Sequence, residues 1–175
     1  VNFNFIKIIF IDTGFLFPET YGFKNEMVKG FNLNTATLES RISYSNQLDS
    51  EGILLYSKNP DGCCDINKVQ PIKDFLRQDD VWISGIRRDQ TAYRNAKEII
   101  EVQENGVIKF HPMLEWTSKD VYQYINLHGL KKHPLEDQGY VSIGCVPCTH
   151  KWTGEDSRVG RWKGTNKTEC GLHLK

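Results

Sequence analysis

Phe5-Ile6-Lys7-Ile8-Ile9-Phe10-Ile11 runs straight into Asp12-Thr13-Gly14, and Pro18-Glu19-Thr20 follows shortly after. The first run is β-branched and aromatic, with the near-continuous apolarity of a strand buried on both faces. Asp-Thr-Gly reads as the turn that ends it. Proline at an early helical position with glutamate beside it opens a helix, here extending to about Gly30. Strand, turn and helix in that order make the first unit of an α/β fold.

Working outward, residues 53–57 read as a second short strand. Residues 65–78 read as helical, divided into two pieces at Pro71. Val81-Trp82-Ile83-Ser84 is a third strand, ending at Gly85. Residues 98–103 and 107–111 flank Glu104-Asn105-Gly106, and Asn-Gly is a strong hairpin signal. Thr117-Ser118-Lys119-Asp120 resembles a capping box with aspartate in place of glutamate. Val121, Tyr124, Ile125 and His128 follow at helical spacing, and Gly129 closes that helix. From residue 139 to 175 glycines and cysteines recur without a sustained apolar period, which reads as an irregular tail. The pattern predicts one α/β domain over residues 1–175, a parallel twisted sheet with flanking helices. Ligands of such sheets bind beyond the carboxyl ends of strands. Asp12-Thr13, Cys63-Cys64 and the segment from Ser84 to Arg88 fall at or near such ends.

The chain has 175 residues, 22 basic and 22 acidic. Zero net charge gives no global field for nucleic acid or an anionic membrane. The apolar stretch at the front is broken by Lys7 and Asp12 and is too short to span a bilayer. No basic segment or small-residue cleavage site accompanies it, so the expectation is a cytoplasmic protein.

Five cysteines fit a disulfide framework poorly. They divide into an adjacent pair, Cys63-Cys64, a downstream Cys145-x-x-Cys148, and Cys170 alone. Thiolate-rich sets select zinc or iron–sulfur clusters. Structural zinc usually draws on two short knuckles, and here only one arm is a knuckle. Two adjacent side chains diverge, which suits a cube with separated corners better than one tetrahedral ion. The spacing therefore favours a 4Fe–4S cluster, with zinc and plain buried thiols as the alternatives.

Cys170 lies in Lys167-Thr168-Glu169-Cys170-Gly171-Leu172-His173. A lone cysteine is often an inert core residue. Lys167, His173, Arg158 and Arg161 surround this one in sequence, and cations favour the thiolate, so it reads as an exposed nucleophile. Guanidinium forks match phosphate and sulfate oxygens. Arg158 and Arg161 read as anion-binding. For Arg87, Arg88 and Asp89, anion binding and a paired surface are equally open, and Arg94 follows close by.

Asp12-Thr13-Gly14-x-x-Phe17-Pro18-Glu19-Thr20, Cys63-Cys64-x-x-x-Lys68-x-x-Pro71 and Ser84-Gly85-Ile86-Arg87-Arg88-Asp89-Gln90 resemble the iron–sulfur type of adenylylsulfate (APS) reductase. So do Trp116-Thr117-x-x-Asp120-Val121, the segment from Gly139 to Thr149 with both of its cysteines, Gly160-Arg161-Trp162 and Lys167-x-Glu169-Cys170-Gly171-Leu172-His173. The resemblance implies an adenine-nucleotide α-hydrolase-like (PP-loop) fold and one 4Fe–4S cluster per chain on Cys63, Cys64, Cys145 and Cys148. It implies Cys170 as nucleophile, with Lys68, Arg94, Arg158, Arg161 and His173 around the phosphosulfate. Lys68 is also the implied cationic neighbour of the cluster, Thr13 a contact behind one of its cysteines, and Ile11 and Gly85 parts of the adenosine pocket. The implied activity is thioredoxin-dependent reduction of adenylylsulfate to sulfite and AMP through a Cys–S-sulfonate. Relatives acting on the 3′-phosphorylated nucleotide (PAPS) generally lack the two cysteine pairs, so APS is the expected substrate and PAPS the alternative. A metal-stapled nucleotide-binding module and a tRNA-thiolating PP-loop enzyme are further alternatives. The last needs a basic RNA face, which the charge balance does not supply. The family's Ser-Gly-Gly-x-Asp-Ser phosphate loop and its strand have no counterpart before residue 5. The expectation is a domain lacking both, with an apolar edge on residues 5–11 that leaves the chain aggregation-prone or borrowing an edge from a partner, and a homo-oligomer is expected.

Overall fold

A computed structural model describes residues 5–151, 158 and 160–173. The opening strand, β1 (Ile8–Asp12), is shorter than the apolar run suggests and is half-buried rather than buried on both faces. Phe5 is 82% exposed, and Ile8 also reaches solvent. The reason lies in its neighbours: among the described residues β1 pairs only with β2 (Thr35–Glu39), in parallel register from Ile8↔Thr35 to Asp12↔Glu39. Between them runs α1 (Pro18–Phe31), begun by Pro18 and stopped by Asn32 in the left-handed region, whose N–H bonds Val28 O. β2 escapes a sequence reading because Thr-Ala-Thr-Leu-Glu is mostly polar.

The expected strand at 53–57 is absent. Asp49 Oδ1 accepts the N–H groups of Glu51 and Ile53, and its carboxylate pairs with Lys58, so the chain curls there. Leu48 and Leu54 make only an isolated bridge, and Leu55–Lys58 forms a single turn, α2.

The helix expected at 65–78 begins earlier. It runs as α3 (Pro60–Cys64), a π-helical turn (Asp65–Val69) and α4 (Gln70–Phe75). The wide turn places the Gln70 N–H on Asp65 O. It lies one step before Pro71, whose ring would crowd a regular α-helical carbonyl four residues back. Proline thus shapes this helix without dividing it.

β3 (Val81–Ile83) pairs in parallel with β5 (Ile108–Phe110), and β4 (Ile100–Val102) pairs antiparallel on the far side of β5. The order β3-β5-β4 forms a sheet separate from β1-β2. The Asn105-Gly106 turn joins β4 to β5, with Gly106 at φ 82°. Between β3 and β4, Ala92–Asn95 is a short helix, α5, capped by Thr91. The capping box at Thr117 is present. Thr117 Oγ1 accepts Asp120 N–H at 3.2 Å and Asp120 returns the bond at 2.8 Å, starting α6 (Ser118–Leu127). Aspartate reaches back as well as glutamate here. The architecture is α/β with parallel pairing and flanking helices. No helix among the described residues is long and apolar enough to cross a membrane.

Candidate active site

Two segments bring the paired cysteines together. Asn59 caps α3 by accepting Gly62 N–H at 2.8 Å, and a Cβ on Gly62 would lie 2.6 Å from the Asn59 amide nitrogen. Glycine is therefore what lets the cap close directly before Cys63. On the π turn, Asn67 is 1% exposed. Its Nδ2 donates to Cys63 O at 3.0 Å and to Gln47 Oε1 at 2.8 Å, and stands 3.5 Å from Cys63 Sγ. Opposite, Val146–Cys148 makes one 3-10 turn. Val146 N–H bonds Phe15 O at 2.7 Å, and Leu16 bridges Cys145, which ties this knuckle to the loop after β1. Thr13 Oγ1 reaches Cys145 Sγ at 3.2 Å.

Cys63, Cys64, Cys145 and Cys148 are all buried and free. Burial raises the Cys63 and Cys148 thiols, and the Cys145 charge adds to it for both. Among the described residues, no three His, Cys, Asp or Glu side chains close on a single ion. The four thiols fit a larger thiophilic group on three counts. They come as two pairs from opposing segments, and hydroxyl and amide groups stand beside two of the sulfurs. The indole Nε1 of Trp162, packed against Cys145 and Cys148, is also buried without an acceptor among the described residues. Donors around the sulfurs are how proteins tune such groups.

Cys170 is half-buried and packs against the cluster of Cys145, Cys148 and Trp162 rather than standing exposed. The reading of an open, flexible thiol is corrected by Gly171. A Cβ there would come within 2.9 Å of Val69 Cγ2, so its absence lets the tail lie on the π turn. That seating places Cys170 beside Cys64. The hydrogen bond from Cys64 lowers the Cys170 thiol below its ordinary value, against its burial and with help from the Lys68 charge. The same bond, with burial, pushes Cys64 upward. Were Cys64 to hold a metal as its thiolate, it would have no proton to donate, and Lys68 would be left as the principal support of the Cys170 thiolate. Burial works against the Lys68 ammonium, yet Cys145, Cys170 and Cys64 outweigh it and raise its pKa.

The sequence neighbours thought to activate Cys170 are differently employed. Lys167 pairs with Asp61. His173 is pushed down to about 4, by burial first and then by the Arg94 charge, so at neutral pH it is an uncharged imidazole. It stacks on Trp82 at 5.8 Å, and its Nδ1 is buried without a hydrogen-bond partner among the described residues.

Glu169, missed from sequence, organises the arginines. It is 4% exposed. Arg94 grips it with two bonds, 2.7 and 2.8 Å, and Arg158 adds a third at 3.2 Å. Glu169 Oε1 also accepts the Cys170 N–H at 2.9 Å. Burial opposes its charge, while Arg94 and Arg158 hold the carboxyl below the ordinary glutamate value. Arg158 is itself lowered to about 10 by burial, partly offset by Glu169. Arg161 is buried, stacks 4.5 Å over Trp162, and donates to Cys148 O at 3.0 Å. A side chain on Gly144 would collide with its guanidinium. In sequence, the signal for Glu169 was an acidic residue directly before the nucleophile in a cation-rich stretch.

Arg87 pairs with Asp89, and Arg88 with Glu115 and the carbonyls of Asn95 and Lys97. Of the two readings, the paired one describes them. Ile11 is half-buried on β1, and Gly85 is exposed just beyond β3. Asp12, Thr13, Gly14, Glu39 and Ser43 line an open cavity of about 340 Å³ at the carboxyl ends of β1 and β2.

Comparison with known proteins gives a consistent picture. Residues 1–151 match the phosphoadenosine phosphosulfate reductase domain. The adenosine 5'-phosphosulfate reductase of Salinibacter ruber is 40% identical over 95% of this chain and 67% of its own length. That of Streptomyces coelicolor is 38% identical over 96% and 72%. A crystal structure of phosphoadenylyl-sulfate (PAPS) reductase from Candida auris superposes with a TM-score of 0.66 at 25% identity. It covers 81% of this chain and 70% of that one.

Proposed function

The chain belongs to the phosphoadenosine phosphosulfate reductase family, and on that premise we propose that it reduces adenylylsulfate to sulfite and AMP, with Cys170 as nucleophile. One observation carries the reading: Cys170 is seated beside Lys68 and Cys64 by a tail that Glu169 locks to Arg94 and Arg158. The Cys170 thiolate attacks the sulfur of the sulfonyl group. A Cys–S–SO3⁻ bond forms, the bond from sulfur to the phosphate oxygen breaks, and AMP departs with that electron pair. Lys68 and Arg158 offset charge moving onto the departing phosphate, where preorganised cations act most strongly. His173 contributes a neutral imidazole. Arg94, whose fork is committed to Glu169, positions the Cys170 segment, and Arg161 fixes the Cys145–Cys148 knuckle against Trp162. A dithiol protein of the thioredoxin class then attacks Cys170 Sγ and expels sulfite. Its second thiol resolves the mixed disulfide, so the two electrons come from the dithiol.

Cys63, Cys64, Cys145 and Cys148 are the residues that would hold a 4Fe–4S cluster, with Thr13 and Asn67 donating to its ligands. Such a group, when bound, supplies a fixed anionic neighbour that keeps Lys68 protonated and in place. The presence of both cysteine pairs supports APS over the 3′-phosphorylated nucleotide. The test is sulfite release from each nucleotide with a dithiol reductant. APS turnover that vanishes in Cys170→Ala is the expected result, and turnover retained in that variant would sink the assignment.

A further inference from the structure

A second site lies away from the thiols, between α4 and the three-stranded sheet. Lys109 is the one charged side chain placed in the middle of β5, and it is 4% exposed. Among the described residues its Nζ has no hydrogen-bond partner, and it lies 5.2 Å over the Trp82 ring. The carboxylate directly across the ladder, Glu101, is already taken by Lys97 at 3.3 Å and by the Glu98 N–H. A buried ammonium without an acceptor is strongly disfavoured, and an anion bound beside it would supply the missing partner. Lys109 lines a cavity of about 710 Å³, with Lys73 on the opposite helix and Ile72, Leu76 and Trp82 among its apolar walls. Gly171 and Leu172 form one side, directly after Cys170.

We propose that Lys109 and Lys73 bind a small oxyanion of the sulfate or phosphate type in this cavity. Lysine meets such groups as a point charge, which two ammoniums on facing elements supply without a planar fork. Glu104 at the rim is the only carboxylate among the lining residues, so the charge balance of the walls favours an anion. The site is distinct from the thiol centre. Its ligand touches the segment that carries Cys170 from behind.

The test uses the anaerobically purified chain and inorganic sulfate and phosphate as probes, with chloride at matched ionic strength as control. Tryptophan fluorescence should change saturably, and the change should disappear in Lys109→Met and weaken several-fold in Lys73→Met. Lys109→Met should also melt higher than the parent in chloride, because it removes an uncompensated buried charge. Independently of any variant folding, acylation of Lys109 in the parent chain, mapped by peptide mass, should slow several-fold in sulfate. An identical saturation curve in Lys109→Met overturns the proposal. So does acylation of Lys109 at the same rate in sulfate and chloride, which would leave it a lysine that merely stacks on Trp82.

Discussion

Replacing Glu169 by glutamine keeps the side chain's shape and removes its charge, and the structure gives the size of the loss. Glu169 accepts two bonds from Arg94, one from Arg158 and one from the Cys170 N–H. The carboxylate and the Arg94 guanidinium have side-chain exposures of 3% and 8%. A buried pair stripped of one partner costs about 3–5 kcal/mol, because the other charge stays in a poor medium. In glutamine one acceptor becomes an NH2 group that faces a guanidinium, so little is recovered. For a chain of this size that corresponds to roughly 6–20 °C in melting temperature. Urea denaturation of Glu169→Gln, Arg94→Met and the double variant reads the pair as a cycle, with a coupling of about 2 kcal/mol or more expected. The pH dependence follows from the depressed carboxyl. The stabilisation is complete above the ordinary glutamate value and is lost as pH falls through the lower folded one. The gap between parent and Glu169→Gln is therefore widest near neutrality and closes in acid. A loss under about 1 kcal/mol, or additive single effects, would refute Glu169 as the organiser of the tail.

Cys145→Ser should remove iron and labile sulfide, about four irons per chain in the parent. Stoichiometric zinc without sulfide in anaerobic preparations would contradict the cluster. Cys170→Ser should keep the iron and the fold while abolishing sulfite release; loss of iron in that variant would mean that ligand and nucleophile have been exchanged. His173, lowered to about 4 from an ordinary 6.5, stabilises fully above pH 6.5 and loses that contribution as pH falls toward 4. Between pH 7 and 5 the parent should therefore lose about 1–2 kcal/mol more than His173→Phe, at up to about 1.4 kcal/mol per pH unit. Parallel pH profiles would show His173 to be protonated or exposed.

How much of this was legible in the sequence depends on whether a feature is local. The α1 start, the Asn105-Gly106 hairpin and the Thr117 capping box are written within a few residues, and each forms as read. The paired cysteines were also legible, because adjacency and CxxC spacing restrict what thiols can do. Burial was not. The run at 5–11 reads as doubly covered, but the faces of β1 depend on which strands pair with it. The π turn at Asp65–Val69 hides behind Pro71, which a local rule treats as a break. Two of the cations that the sequence sets beside Cys170 are employed elsewhere for the same reason. Lys167 and His173 are its neighbours along the chain, whereas Lys68 and Cys64 reach it through space. Glu169 looked like a passing acidic residue until Arg94, 75 positions away, closed on it.

The central claim is that Cys170 accepts the sulfonyl group, and one single-turnover measurement addresses it. The reduced, anaerobic chain is mixed with adenylylsulfate and no reductant, quenched, and analysed by intact and peptide mass spectrometry. The account predicts one added SO3 group per chain, confined to the peptide carrying Cys170, formed together with AMP and removed as sulfite when a dithiol protein is added. Release of AMP with Cys170 unmodified, or an SO3 group on Cys63, Cys64, Cys145 or Cys148 instead, would contradict it.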